Sequence, residues 1–140
     1  MRFGIEPDQE FRYFEFSSEE RNKTTELLRG RLKEESGIVL AYLHGGFLKE
    51  RPFRDIDIAL WIKNEEEAWY YAVDLSAKLE IEIGLPIDMQ VMNRAPLPIR
   101  HEVLTKGSLI VSRDDGFRTR LLDETLRQYM DLQQVLNIKR

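Results

Sequence analysis

Cysteine is absent from all 140 residues of this chain. That excludes disulfides, thiolate nucleophiles and cysteine-ligated zinc together. Histidine is scarce as well. His44 and His101 are the two imidazoles, too few for one copy to build a multi-histidine metal site. No apolar run approaches the roughly 18–20 residues of a membrane span. The opening stretch from Met1 to Asp8 also lacks the apolar core of a secretion signal, so the expected compartment is the cytoplasm. An excess of positive charge is missing too: 21 Lys and Arg stand against 25 Asp and Glu, for a net charge of −4. An extended nucleic-acid surface needs clustered cations and is therefore not expected. Carboxylates remain as metal ligands, and they suit magnesium, calcium or manganese.

What is present describes an ordinary globular protein, with 42% apolar and 33% charged residues. The length supports one domain, spanning 1–140. It divides into an N-terminal arm (1–16), a surface helix (17–36), a core (37–113) and a C-terminal helix (114–140).

The arm carries Phe3, Phe11, Tyr13, Phe14 and Phe16 among charges. In an extended segment Phe14 and Phe16 share one side and Glu15 takes the other, with Phe11 out of register. Ser17 and Glu20 match a capping box, opening a helix that rests on Leu27, Leu28 and Leu32 and is closed by Gly37. Residues 38–43 form a continuous apolar run, as in a strand buried on both faces. After Gly45-Gly46 and a basic loop, residues 55–62 alternate. Ile56, Ile58, Leu60 and Ile62 face one way; Asp55, Asp57, Ala59 and Trp61 face the other. Asn64 caps a helix whose apolar line is expected along Trp69, Val73 and Ala77, with Leu75, Ser76 and Leu79 beside it. Gly84 and Pro86 stop it. A third strand covers 87–92, with Asp88 and Gln90 turned from the core. A short helix (99–106), a fourth strand (108–112) and a long final helix follow, the last with a broad apolar face expected to be mostly core. Helices alternating with strands predict an α/β (α+β) fold around a mixed sheet of about four strands.

Asp55 and Asp57, at i and i+2 on a strand, project from one face and repel each other at neutral pH. Asp88 joins them if its strand is adjacent. A divalent cation removes the conflict, and three acids from two strands can hold two magnesium ions, an arrangement suited to in-line phosphoryl-type transfer. Each feature alone has a simpler explanation. Strand acids usually sit in water or pair with a nearby Arg, and Gly-Gly is most often a plain turn. Together, Gly45-Gly46 can bring backbone N–H groups to a phosphate close to these acids. Neither a Walker A loop nor a Gly-x-Gly-x-x-Gly fingerprint is present.

His44-Gly45-Gly46-Phe47, followed by Arg54-Asp55-Ile56-Asp57-Ile58, resembles the glycine turn and Asp-x-Asp signature of DNA polymerase β-like nucleotidyltransferases. Residues 87–97, with Asn93-Arg94-Ala95-Pro96-Leu97, then 99–104, Gly107 and 127–131, resemble the minimal nucleotidyltransferase (MNT, MntA-type) antitoxins. The likeness covers residues 36–135. It implies a polymerase β-like fold and an enzyme that takes ATP with magnesium and transfers AMP to a tyrosine hydroxyl of a cognate HEPN-family toxin. Carried over by position, Asp55, Asp57 and Asp88 bind metal, and Asp88 also helps deprotonate the acceptor. Gly45 and Gly46 contact the triphosphate. Lys49, Arg51 and Arg54 are candidates for neutralising its charge.

Two other readings stand beside this one. The same fold could neutralise a partner by binding alone, or the chain could modify a small molecule, for which it lacks an added acceptor domain. Trp61, on the acid face, offers either a base-stacking surface or packing under the arm. His44 reads as a hydrogen-bonded structural histidine and His101 as a surface residue. Apolar surface left on the final helix suits a toxin or a second copy of the chain.

Overall fold

Capping decides where the first helix begins. In the computed structural model, which describes residues 12–49 and 51–138, the Ser17 hydroxyl accepts from Glu20 N at 3.1 Å. The Glu20 carboxylate accepts in return from Ser17 N at 2.9 Å. This reciprocal box opens helix α1 (Ser18–Lys33). Leu28 and Leu32 are fully buried, whereas Leu27 is exposed. The expectations for Phe3 and Phe11 lie outside the described residues.

Four strands form one mixed sheet: β1 (Ile38–His44), β2 (Ile56–Ile62), β3 (Ile87–Val91) and β4 (Ser108–Ser112). Their order is β3-β2-β1-β4. The β1 strand runs antiparallel to both neighbours, and β2 runs parallel to β3. A parallel pair needs a crossover. Here it is a π-helical segment (Tyr70–Leu75) running into α2 (Ser76–Ile83). Two further helices, α3 (Leu97–Lys106) and α4 (Asp115–Ile138), flank β4 in sequence. No helix among the described residues is long and apolar enough to cross a membrane.

Each face of the sheet has its own apolar cluster. Ile56, Ile58, Leu60 and Ile62 pack with Leu28 and Leu32 of α1 and with Tyr71, Leu75 and Leu79 of the crossover. Leu40, Tyr42, Ala59 and Trp61 pack on the other face with Val103 and Leu104 of α3 and with Phe117, Leu121 and Leu122 of α4. The β1 strand feeds both clusters, as its unbroken apolar run predicts.

Two apolar faces differ from expectation. In the crossover, Trp69 is 72% and Val73 40% exposed, while Tyr71, Leu75 and Leu79 are buried. The π-helical turn adds a residue to the repeat and shifts the buried stripe away from the Trp69 line. On α4, only the first half is covered. Leu126, Met130, Leu132, Val135 and Leu136 are all exposed by a third or more. At about 1.5 Å per residue, a helix of 24 residues outruns the 10-residue α3 beneath it.

The turn from α3 to β4 is packed against backbone. A Cβ on Gly107 would collide with Val103 O and press on Leu43 O, neither of which can rotate away. Gly107→Ala is therefore expected to cost about 2 kcal/mol, in the range for overpacking. The check is the urea midpoint, which falls with an unchanged slope. An unchanged midpoint would show that this turn relaxes freely.

Candidate active site

Strand register builds the site. Asp57 stands opposite His44 across the antiparallel β1–β2 pair and beside Asp88 across the parallel β2–β3 pair. Residues so paired share a face, and neighbouring strands lie about 4.8 Å apart. His44, Asp57 and Asp88 therefore form a row across three strands, and Asp55, which lies just before β2 rather than opening it, is near enough for its charge to act on Asp57. The row lies at the end of the sheet where β1 leaves into the 3₁₀ turn Gly45–Leu48.

The acids crowd one another. Burial, the charges of Asp55 and Asp88, and a hydrogen bond shared with Asp88 push the Asp57 carboxyl up to about 7. Asp55 is half-buried like Asp57, whereas Asp88 is exposed and accepts from Gln90 Nε2 at 3.2 Å. Burial pulls the pKa of His44 down, against the opposing pull of Asp88, Glu102 and Asp55, which keeps its imidazole neutral. His44 Nε2 is buried without a hydrogen-bond partner. The hydrogen-bonded structural role expected for His44 is thus not what the fold provides at that atom.

The two glycines differ in kind. Gly45 has φ +76°, and a Cβ there would strike Asp57 Oδ2. The backbone turn and the central carboxylate are in close approach, and only glycine permits it. A Cβ on Gly46 would meet nothing nearer than Phe53 Cβ at 3.7 Å, an ordinary contact. Gly46 instead lines an open cavity of about 820 Å³ with Asp55, Arg51, Arg54, Tyr13 and Glu15. The cavity joins the turn, the first acid and two of the three basic residues singled out in the sequence. Lys49 is exposed but does not line it.

Several other residues belong elsewhere. Trp61 is 3% exposed and meets Tyr42 edge-on at 5.8 Å. It sits beneath α3 and α4, so it neither stacks on a base nor lies under the arm. His101 stacks on Tyr129 at 3.6 Å and is half-buried rather than a surface residue. Asn93 bonds both backbone groups of Ile62, accepting from its N at 3.0 Å and donating to its O at 2.8 Å. Arg94 pairs with Glu65. The Asn93–Leu97 segment therefore secures the far ends of β2 and β3 and adds no side chain to the acid row. The sequence does not single out Arg21, which bonds the backbone between Gly46 and Asp55 at Phe47 O and Arg51 O. Its only sequence signal is a cation in the first turns of a helix otherwise light on apolar residues.

Among the described residues, no three His, Asp or Glu side chains are gathered as a metal cage. The donors stand in a row rather than around a point. The chemistry of the three acids nonetheless fits a hard divalent cation: their donors are oxygens, and the central one is held partly protonated near neutral pH by burial and then by its acidic neighbours. This has a consequence for stability without metal. The unfolded carboxyl titrates near 3.8 and the folded one near 7. Below the lower value both states carry the proton, and Asp57 has no effect. Between the two values only the folded state keeps it, so stability falls as pH rises, and the loss is complete above 7. In chelator, the melting temperature is expected to decline across this window more steeply for the natural chain than for Asp57→Asn, and magnesium should close the gap. Parallel curves for the two proteins would contradict the crowding of the acids.

Comparison with known proteins places this geometry. The family model described as Polymerase beta, Nucleotidyltransferase matches residues 26–116. Among solved structures, the chain resembles one in the tri-AMPylated Shewanella oneidensis HEPN toxin in complex with MNT antitoxin. The TM-score is 0.63 at 19% identity, covering 84% of this chain and 93% of the other. The toxin-antitoxin MntA-HepT gives 0.56 at 22% identity, covering 84% and 91%. A toxin-antitoxin structure with AMP-PNP gives 0.59 at 22%, covering 84% and 93%. At these identities the likeness is one of fold. A search of curated proteins gives no match.

Proposed function

Because the chain belongs to the polymerase β nucleotidyltransferase family, we propose that it transfers AMP from ATP, with magnesium, to a hydroxyl of a HEPN-type toxin and so acts as its antitoxin in the cytoplasm. The observation that carries this reading is the acid row itself, Asp55, Asp57 and Asp88, with Gly45 pressed against its centre.

Asp55, just before β2, Asp57, on β2, and Asp88, on β3, would hold the cation. Magnesium, when bound, neutralises carboxylates and triphosphate together and acidifies the attacking hydroxyl. The Gly45-Gly46 backbone receives the phosphates, and Arg51 and Arg54 on the cavity wall offset their charge. The acceptor oxygen forms a bond to the α-phosphorus, the bond to the β-phosphate oxygen breaks, and pyrophosphate leaves. Asp88 is the exposed acid of the three, open to a protein hydroxyl, and takes its proton. The bare second half of α4, with Met130, Val135 and Leu136 in solvent, offers the toxin or a second copy an apolar surface.

A binding-only antitoxin would use that surface and leave the acids idle. Growth rescue separates the two. A chain carrying Asp55→Ala and Asp57→Ala should bind its toxin yet fail to relieve toxicity. Full relief by this double variant would make catalysis unnecessary.

A further inference from the structure

The segment joining the phosphate turn to the acid strand fixes Gly46 relative to Asp55, and its described residues include the end of the 3₁₀ turn and a single bridge at Phe53. Arg21 reaches into it from the first turns of α1. Its guanidinium donates to Phe47 O, to Arg51 O at 2.6 Å and, through Nε, to Phe16 O at 3.4 Å. The same group lies over the rings of Phe47 and Phe53, at 5.4 and 5.1 Å from their centroids. One side chain thus ties together the arm, the end of the phosphate turn and the loop.

The arm completes the clamp. Phe14 and Phe53 exchange two backbone hydrogen bonds, Phe14 N to Phe53 O at 2.8 Å and Phe53 N to Phe14 O at 3.0 Å. Phe53, 2% exposed, meets Phe14, Phe16 and Phe47 at ring distances of 5.0–5.7 Å. Behind the cavity that Gly46 and Asp55 line, the wall is therefore an aromatic cluster, with Arg21 over Phe47 and Phe53 and Arg12 over Phe14.

We infer that Arg21 is a positioning residue of the nucleotide site, holding the 47–54 segment so that the Gly45-Gly46 amides face the same cleft as Asp55. It does not line the cavity with Gly46 and Asp55; it acts through the three carbonyls and two rings it fixes. A guanidinium suits this task because its planar fork donates in several directions while its face lies on aromatic rings. The inference rests on the nucleotide reading of this cleft and adds to it a residue outside both motifs.

Arg29 supplies the control. It lies on the same helix and also bonds a backbone carbonyl, Ile110 O at 3.1 Å, on β4 and away from the cleft. The experiment compares the full chain with Arg21→Gln and Arg29→Gln, each well below its melting temperature. Calorimetry measures the affinity for a non-hydrolysable ATP analogue with magnesium, and hydrogen exchange reports on residues 46–53. Arg21→Gln should weaken nucleotide binding by about tenfold, or roughly 1.4 kcal/mol, and loosen those amides, with partial recovery in Arg21→Lys. Arg29→Gln should lose stability but bind as the natural chain does. Binding by Arg21→Gln within about twofold of the natural chain, or equal weakening in Arg29→Gln, would overturn the positioning role while leaving the nucleotide site in place. Absence of binding by the natural chain would overturn the site reading itself, and this inference with it.

Discussion

Asp57→Ala should lower AMP transfer to the partner by about 10³-fold or more while leaving the fold intact. Removing one ligand of a catalytic cation forfeits several kcal/mol of transition-state stabilisation. Asp57 is the costliest acid to lose because it is central: β1 and β3 flank it, Asp55 precedes it, and Gly45 lies against its carboxylate. The fold should survive because this carboxyl is a burden without metal. Its pKa, raised to about 7 chiefly by burial, marks a group that the folded state prefers uncharged. Loss of activity should therefore accompany unchanged or improved thermal stability at pH 8. Single-turnover transfer rates and melting curves on the same preparations check both halves. Transfer within tenfold of the natural rate would remove Asp57 from the chemistry.

Gly45→Ala should cause a smaller but still large loss by a different route. The φ of +76° costs an L-residue about 1–2 kcal/mol. The new methyl would also occupy the space of Asp57 Oδ2, so the carboxylate or the turn must move. Misplacement of about 1 Å at a reacting centre is worth roughly 10²-fold. Gly46→Ala is the informative partner, since its methyl meets only Phe53 Cβ at ordinary contact. Transfer rates should fall about 10²-fold for Gly45→Ala and by far less for Gly46→Ala. Equal effects would mean that the turn matters only as a flexible pair of glycines.

Much of this arrangement was legible before any coordinates. Period-two alternation placed Asp57 opposite the inward-facing isoleucines of β2, and the capping box placed the start of α1, because both are local rules; Asp55, expected to open the strand, lies just before its first residue, Ile56. That Asp88 adjoins Asp57 depended on strand order, which no local pattern encodes. It became an expectation through resemblance and a fact through the β2–β3 register. The failures are non-local as well. Trp61 shares the parity of the acids, yet it lies four residues further along β2, where α3 and α4 cover the face. Trp69 follows an ideal helical line that a π-helical turn displaces. The apolar face of α4 is real, but helix length carries half of it beyond the core. Asn93, part of the segment that carries the family resemblance, has a structural role that the motif does not state: it ties the end of β2 to the residues after β3. Arg21 carries no local signal because the two carbonyls through which it reaches the loop are 26 and 30 residues away.

The central claim is that the acid row and its glycine turn carry out nucleotidyl transfer onto a protein. It is tested most directly by incubating the chain with ATP, magnesium and the product of the neighbouring gene, then measuring the partner's intact mass. The neighbour is expected to be a small helical protein with an Arg-x-x-x-x-His motif. The partner should gain the mass of one or more AMP groups with the natural chain, and none with Asp57→Ala or in chelator. A partner of unchanged mass that is nevertheless neutralised would contradict the claim.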